Sequence, residues 1–538
     1  MGSYTPQSSL LAQIGSLTTV NAIGLFLVSY TVYTILLYVY RLTLHPLAKF
    51  PGPKLAAASF WYEAYYDLWP YKHRYLWKIK ELHDIYGPIV RINPNHIHIH
   101  DPDYFDDIYA GGRRKRDRDT WYMHASKTGT MSWSLLQSMD HDLHRVRRAA
   151  LNPFFSKRAI SSLEGMVVEK IKRLESRLAG SYARGEVVNL TNSTAALTMD
   201  VISSYALGGD IGNLGREDWG SDWLEAFRTV GLMRPMGRQF SWLMNPLLNN
   251  LSPEVVKWIS PETAKLTKKL QYPIEIINVA TEERRKNGGN SKNEGLLSAN
   301  SRTIFQDIVN SDLPASEKTP ERLNAEAGLA LGAGTETTAR NLAVMIYYLL
   351  HNKDVLDKLR AELSPVMPAA DSPVALADLE ALPYFSAVIN EGLRLAHGAS
   401  SRMPRIATKN LSTSNGWNIT KRHYDQTPVM QSLYLHHTNP QIFPEPFRFN
   451  PQRWIDDPKL KPRYLMAWGQ GSRSCLGINL ANAELYLTIA HLITRFELEL
   501  YDTIWERDVE NSHDCFIGVA DLSSPGIRVK ITRDALGA

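Results

Sequence analysis

The first 40 residues carry no Asp, Glu, Lys, Arg or His. From Val20 to Tyr40 the run is almost wholly apolar, with Leu25, Phe26, Leu27, Val28, Ile35, Leu36 and Leu37. As a helix rising about 1.5 Å per residue it would reach roughly 31 Å, one hydrocarbon core. The first charges, Arg41, Lys49 and Lys54, follow it and put the C-terminal side in the cytosol. A secretory signal would need a basic start and a small-residue cleavage site, and neither is evident. The run His45-Pro46-Leu47-Ala48-Lys49-Phe50-Pro51-Gly52-Pro53 then stops the helix and stiffens the chain. The expected organisation is residues 1–19 as a short lumenal N-terminus, 20–40 as a transmembrane helix, 41–55 as a proline-rich hinge and 56–538 as one cytosolic domain.

Beyond the hinge there is no internal repeat and no second composition class. Helical periodicity marks Tyr75–Tyr86, His141–Asn152, Leu163–Ala179, Thr194–Ala206, Glu254–Arg284, Glu321–Leu350, Val355–Leu363 and Leu376–Leu395. Short strand-like runs lie at Ile89–Ile92, His96–His100 and Gly526–Thr532, and Arg284–Asn300 reads as a surface loop. This pattern predicts a mainly α fold, one large helical domain with small peripheral sheets. A formal charge of +5 is small for 538 residues, so no nucleic-acid partner is implied, and two cysteines cannot build a disulfide framework.

Cys475 sits in Trp468-Gly469-Gln470-Gly471-Ser472-Arg473-Ser474-Cys475-Leu476-Gly477, ahead of the apolar, helix-prone Ile478–Ile493. Glycines at 471 and 477 let the backbone turn tightly and approach something flat. A helix N-terminus favours a thiolate, and Arg473 offers a cation two residues away. A second cluster, Leu331-Gly332-Ala333-Gly334-Thr335-Glu336-Thr337-Thr338, lies inside a helix, where each glycine costs about 1 kcal/mol against alanine. The missing side chains open a groove, beside which Glu336 and Thr337 supply an acid and a hydroxyl suited to proton relay. Thr337 is placed to bond back to the Ala333 carbonyl. A third pair, Glu391 and Arg394, falls on one helical face in apolar surroundings that predict burial.

In this order these runs resemble the motifs of cytochrome P450 enzymes: F-x-x-G-x-R-x-C-x-G, with Trp468 in place of phenylalanine, A/G-G-x-D/E-T-T/S and E-x-x-R. The resemblance implies a cytochrome P450-type fold holding haem b, with Cys475 as the axial ligand of the iron. Trp468 becomes an aromatic wall, and Gly471 and Gly477 shape the ligand loop. Ala333 and Gly334 open the oxygen groove, Thr337 hydrogen-bonds dioxygen, and Glu336 is its acidic neighbour. Glu391, Arg394 and Arg453, the last in Pro451-Gln452-Arg453-Trp454, form a structural lock; Gln452 and Trp454 depart from the usual pattern there. Arg148, four residues after His144 where the family has tryptophan, and Arg473 are the expected propionate cations, with Arg405 as a third.

The same resemblance implies insertion of one atom of O2 into an apolar small-molecule substrate. Electrons would come from NADPH through an NADPH–cytochrome P450 reductase, at the endoplasmic-reticulum membrane. The entry Tyr40-Arg41-Leu42 through Ala56 resembles filamentous-fungal members of secondary metabolism such as trichodiene oxygenase, which points to a terpenoid, then a polyketide or alkaloid. A reductase-independent isomerase or dehydratase of the same fold, or a non-catalytic haem-binding membrane protein, are the other readings. The pocket is expected among Trp121, Tyr122, Met123, Met131, Trp133, Met233, Met236, Phe240 and Trp242, with His397–Met403 and Phe516. His96, His98 and His100 read as one face of a half-exposed strand rather than a zinc site. Arg113-Arg114-Lys115-Arg116-Asp117-Arg118 reads as a solvated loop, and Cys515 as a late loop residue.

Overall fold

The computed structural model describes residues 7–537 apart from 113, 125–128, 251–253, 256, 257, 259, 260, 262–302, 408–410, 413–417 and 420–426. The expected helix Glu254–Arg284 lies almost wholly outside the described residues, and the expected loop Arg284–Asn300 lies wholly outside them. The helices that position the site are α1 (Gln7–Thr43), α2 (Lys54–Ala58), α3 (Trp61–Asp67), α4 (His141–Leu151), α5 (Leu190–Leu207), α6 (Ser221–Gln239), α7 (Pro320–His351), α8 (Pro383–Ala396) and α9 (Ile478–Arg495). No residue of the most apolar stretch of α1 is buried in the rest of the chain. It is long and apolar enough to cross a membrane.

α7 forms the axis of the main core. Thr319 caps it by accepting from the Arg322 amide, and Pro320 occupies the first turn, where a missing N–H costs nothing. α5 packs along it closely enough for Thr194 and Thr198 to donate to the Ala339 and Thr335 carbonyls at 3.0 and 3.1 Å. This approach explains the glycines of α7. A Cβ on Gly334 would meet Ile202 of α5 at 2.8 Å, and one on Gly332 would meet Phe227 of α6 at 3.2 Å. Both glycines let helices cross close to α7; Gly332 does only this, while Gly334 also borders the cavity beside Cys475.

The expected helix Leu376–Leu395 is two helices, Leu376–Glu380 and α8, because Pro383 cannot continue a helix but can start one. One mixed sheet runs in the order β1-β2-β5-β4-β3, from β1 (Ile89–Arg91), β2 (Ile97–Ile99), β3 (Arg116–Arg118), β4 (Arg405–Ala407) and β5 (Pro428–Met430). Only the β2–β5 pairing is parallel. A second sheet pairs Arg528–Asp534 with Val187–Asn189 and Phe496–Leu500.

β2 is buried rather than half-exposed. His96 bonds Asp119 at 3.0 Å and His98 bonds His83 at 2.7 Å, so these imidazoles are satisfied by neighbours brought in by the fold. The basic run is not a solvated loop throughout. Arg116 and Arg118 alternate on β3 with Asp117, and both turn inward; Arg116 donates to the Asp107 and Ile108 carbonyls.

Candidate active site

The Trp468–Gly477 loop folds on backbone contacts of its own. The Cys475 amide donates to the Trp468 carbonyl at 2.8 Å and the Gly469 amide to Met466 at 2.8 Å. Gly471 has φ +72°, and a Cβ there would meet the Tyr109 and Ala110 carbonyls at 2.2 and 2.4 Å, so no other residue fits. Gly477, the residue before α9, is different: a Cβ there would meet nothing within 4 Å. Its bareness leaves open space beside Cys475.

That space is a cavity of about 260 Å³. Cys475, Trp468, Leu476 and Gly477 form one wall, and Leu329, Ala330, Ala333, Gly334, Thr337 and Thr338 of α7 form another. The Thr337 hydroxyl donates to the Ala333 carbonyl at 2.8 Å, as the sequence predicts. Cys475 is exposed to this cavity, yet enough protein surrounds the thiol for burial to push its pKa up, against the Gly477 N–H and Arg148.

The cation facing that sulfur is Arg148, not Arg473 as the spacing suggests. Arg148 bonds the Ser474 carbonyl and hydroxyl. Arg473 turns toward the carbonyls of Ser138 and Met139 at 2.6 and 2.8 Å, while its side chain still borders the cavity. Arg118 joins them and donates to the Leu136 carbonyl at 2.6 Å. Arg405 lies behind, near enough to pull down the affinity of Arg473 and Arg118 for their protons. Burial pulls all four guanidinium groups down, Arg473 to about 9. His144 also faces the cavity, its imidazole held neutral first by burial and then by these arginines, and its Nδ1 has no partner.

Among the described residues these partly buried cations donate to carbonyls, a hydroxyl and the Met123 sulfur, and only Asp117 and Asp140, acting on Arg473, offset their charge. A flat dianionic group whose carboxylates reached this rim, with an electrophilic metal at the Cys475 sulfur, would supply further negative charge. The Arg118 Nε and His144 Nδ1 are orphaned donors or acceptors at that same rim. The residues present thus fit an iron porphyrin.

Glu336 does not share this cavity. It faces a second one of about 90 Å³ on the adjoining side of α7, with Arg228, Arg340 and Asp508. Burial raises its carboxyl to about 7, against the pull of Arg228 and Arg340. The expectation that acid and hydroxyl flank one opening is corrected by the helix itself: successive residues lie about 100° apart. Glu484 of α9 does line the main cavity, where burial pushes it well above the carboxylate range and leaves Oε1 without a partner.

Behind the site, Glu391 accepts from Arg394 at 2.8 and 2.9 Å, from Arg453 at 3.1 Å and from the Asn450 amide at 2.9 Å. The unusual Trp454 adds a donor of its own, its indole N–H reaching Glu391 at 3.0 Å. Arg394 continues to the His437 and Pro446 carbonyls at 2.9 and 2.6 Å. The lock therefore clamps the segment leading into the cysteine loop.

Sequence reasoning missed Arg118, Glu484, Ile304 and Phe305, all of which line the main cavity. The alternation Arg116-Asp117-Arg118 carried a strand signal, and Glu484 was the one acid in the apolar run Ile478–Ile493. Of the expected pocket wall, Tyr122, Met123, Met403 and Phe516 border a small adjoining cleft with Arg118 and Arg405. Trp133, Met236 and Trp242 instead point outward.

A long glycine-bearing helix over a cysteine loop, with cations at the rim, defines a haem-thiolate class of protein. The family model described as Cytochrome P450 matches residues 60–519. Relatives include Cytochrome P450 monooxygenase MO6277 of Ascocoryne sarcoides, 40% identical over 92% of this chain and 97% of its own length. Cytochrome P450 monooxygenase sdnE of Sordaria araneosa is 38% identical over 94% and 97%. Tryptophan 6-hydroxylase fscE of Fusarium equiseti is 35% identical over 98% and 99%. The chain belongs to the cytochrome P450 family, whose cofactor is a haem iron and whose members take electrons from a redox partner.

Proposed function

We propose that this protein is a membrane-anchored haem b monooxygenase of fungal secondary metabolism, fed by an NADPH–cytochrome P450 reductase at the endoplasmic reticulum. The observation that carries the reading is one cavity with the Cys475 sulfur on one wall, the Thr337 hydroxyl on another and buried cations at its rim. Haem bound here supplies the oxidation of the substrate by O2, with a thiolate ligand favouring O–O cleavage. Cys475 would ligate the iron, and Arg118, Arg148, Arg473 and Arg405 would hold the propionates. Trp468, Leu476 and Gly477 bound one face of that space, and Ala333 and Gly334 the other.

The chain's own residues meter protons and exclude water. Thr337 donates to oxygen in the cavity once its hydroxyl leaves the Ala333 carbonyl. Glu336, whose carboxyl burial raises to about 7, would hold a proton in the second cavity on the adjoining side of α7. The balance is substrate, O2, NADPH and a proton giving hydroxylated product, NADP+ and water. Leu135, Leu136, Leu329, Ile304 and Phe305 make the cavity walls apolar, which suits an apolar substrate, a terpenoid scaffold first.

The test pairs the haem-loaded protein with reductase and NADPH. NADPH consumption that disappears in Cys475→Ala is expected; no consumption by folded, haem-loaded protein would favour the isomerase reading. Retention of the chain in endoplasmic-reticulum membranes through alkaline washing checks the location.

A further inference from the structure

α6 turns one face toward the hairpin that pairs His513–Cys515 with Ile517–Val519. Down that face come Phe227, Gly231, Arg234 and Arg238, each about one helical turn from the next. Phe227 abuts Gly332 of α7, and Gly231 abuts Cys515. Arg238 ends the row in buried ion pairs with Glu63 and Asp67 at 3.0 and 2.6 Å. Between them Arg234 faces the Tyr122 hydroxyl, with its guanidinium 5.0 Å from the centre of the Phe516 ring. All three residues border the small cleft that opens off the main cavity, Arg118 and Leu136 being common to both spaces. Part of the Arg234 surface stays accessible, yet enough protein surrounds the guanidinium for burial to weaken its hold on its proton.

Among the described residues the cleft is bordered by three guanidinium groups, of Arg118, Arg234 and Arg405, and by one carboxylate, Asp119. Asp119 already accepts from His96 at 3.0 Å and from the Tyr122 amide at 2.7 Å. Arg118 and Arg405 are assigned to the propionates, so Arg234 is the cation of the cleft that the haem does not explain. The acid acting on it, Asp514, is engaged by the Ser401 hydroxyl, by the Phe516 amide at 3.3 Å and by Arg402 at 3.9 Å. The ring beside Arg234 is held rather than relaxed. Phe516 has φ +82°, a left-handed backbone rare for an aromatic residue, fixed by its amide on Asp514 and by its carbonyl, which accepts from the Ser401 amide at 3.4 Å. Strain of this kind gathers at ligand sites.

Resting on the reading of the main cavity as a monooxygenase substrate site, we propose that Arg234, with the Tyr122 hydroxyl beside it, takes the carboxylate of the substrate, which is therefore an apolar acid. The cleft offers about 10 Å³, the space of one water and so of one carboxylate oxygen. The skeleton stays in the main cavity against Leu135, Leu136 and Leu329. A guanidinium suits this task because its planar fork of N–H donors matches a carboxylate. The carboxylate also fixes which end of the skeleton is turned away from the oxygen groove of α7.

The test titrates the full-length, haem-loaded protein at neutral pH with dodecanoic, adamantane-1-carboxylic and dehydroabietic acids and with the methyl ester of each. Dissociation constants are read from the shift in haem absorbance. At least one acid is expected to bind about tenfold or more tighter than its ester. Arg234→Gln should bring that acid down to the level of its ester and leave the ester unchanged. Should Arg234→Gln lose haem, Arg234→Lys, which replaces the fork by a point charge, reads the same ratio: weaker binding of the acid alone supports the site, and an unchanged ratio of acid to ester overturns it. No preference for any acid overturns the proposal, as does a preference that survives Arg234→Gln, which would put the carboxylate on Arg118 or Arg405. Binding is read without turnover, so the two readings fail separately. A protein that prefers acids but consumes no NADPH with reductase refutes the monooxygenase, whereas NADPH use without a preference for acids refutes only the carboxylate site.

Discussion

At Cys475 the surrounding protein works against ionisation: burial raises the thiol, and only the Gly477 N–H and Arg148 pull it back. A thiolate at Cys475 would therefore form with metal binding rather than stand as a free anion. Thr337 and Glu336 line two different cavities, and the proposed proton role of each predicts its own result. Thr337→Ala should leave NADPH consumption largely intact while hydroxylated product falls, as read by product formed per NADPH. Glu336 has its pKa raised to about 7, so its protonated form is present below that pH and lost above it. Coupled turnover should fall as pH rises through about 7, and Glu336→Gln should flatten that profile. Arg118→Ala should release haem faster than the wild type in a transfer assay to apomyoglobin, with Arg118→Lys between the two.

Among the elements, α7 depends on how closely its neighbours approach. Gly334→Val would put methyl groups into Ile202, and overpacking of this kind costs about 1–3 kcal/mol, visible as a lower denaturant midpoint. Glu391→Ala strands two buried arginines, and breaking such a pair costs about 3–5 kcal/mol; loss of haem before global unfolding should mark it. Much at this scale was legible in sequence. α4 and α7 fall within a residue or so of their periodic runs, and Tyr75–Tyr86 matches outright, because apolar period and capping residues agree there. The split at Pro383 was also written in the chain, as a proline in mid-run. What could not be read was which face of α7 each residue meets: Gly334 serves Ile202, and Glu336 looks into another cavity, because those facts depend on α5 and α6.

Over the whole molecule, the apolar leader and the cysteine loop mark the two ends of one functional arrangement. Local runs named Cys475, Thr337 and the Glu391–Arg394 pair, since each is contiguous in sequence, whereas Arg453 came only with the resemblance. The cationic rim was only partly visible, because Arg118, Arg148, Arg405 and Arg473 come from four separate segments and converge only through β3, β4 and α4. Arg118 was lost inside a run that looked solvated.

The most direct test of the central claim is the carbon-monoxide difference spectrum of the reduced, expressed protein. The account predicts the strongly red-shifted band of a thiolate-ligated haem, retained in Cys515→Ala and absent in Cys475→Ala. A band typical of histidine-ligated haem in the folded wild type, or a red-shifted band that survives Cys475→Ala, would contradict it.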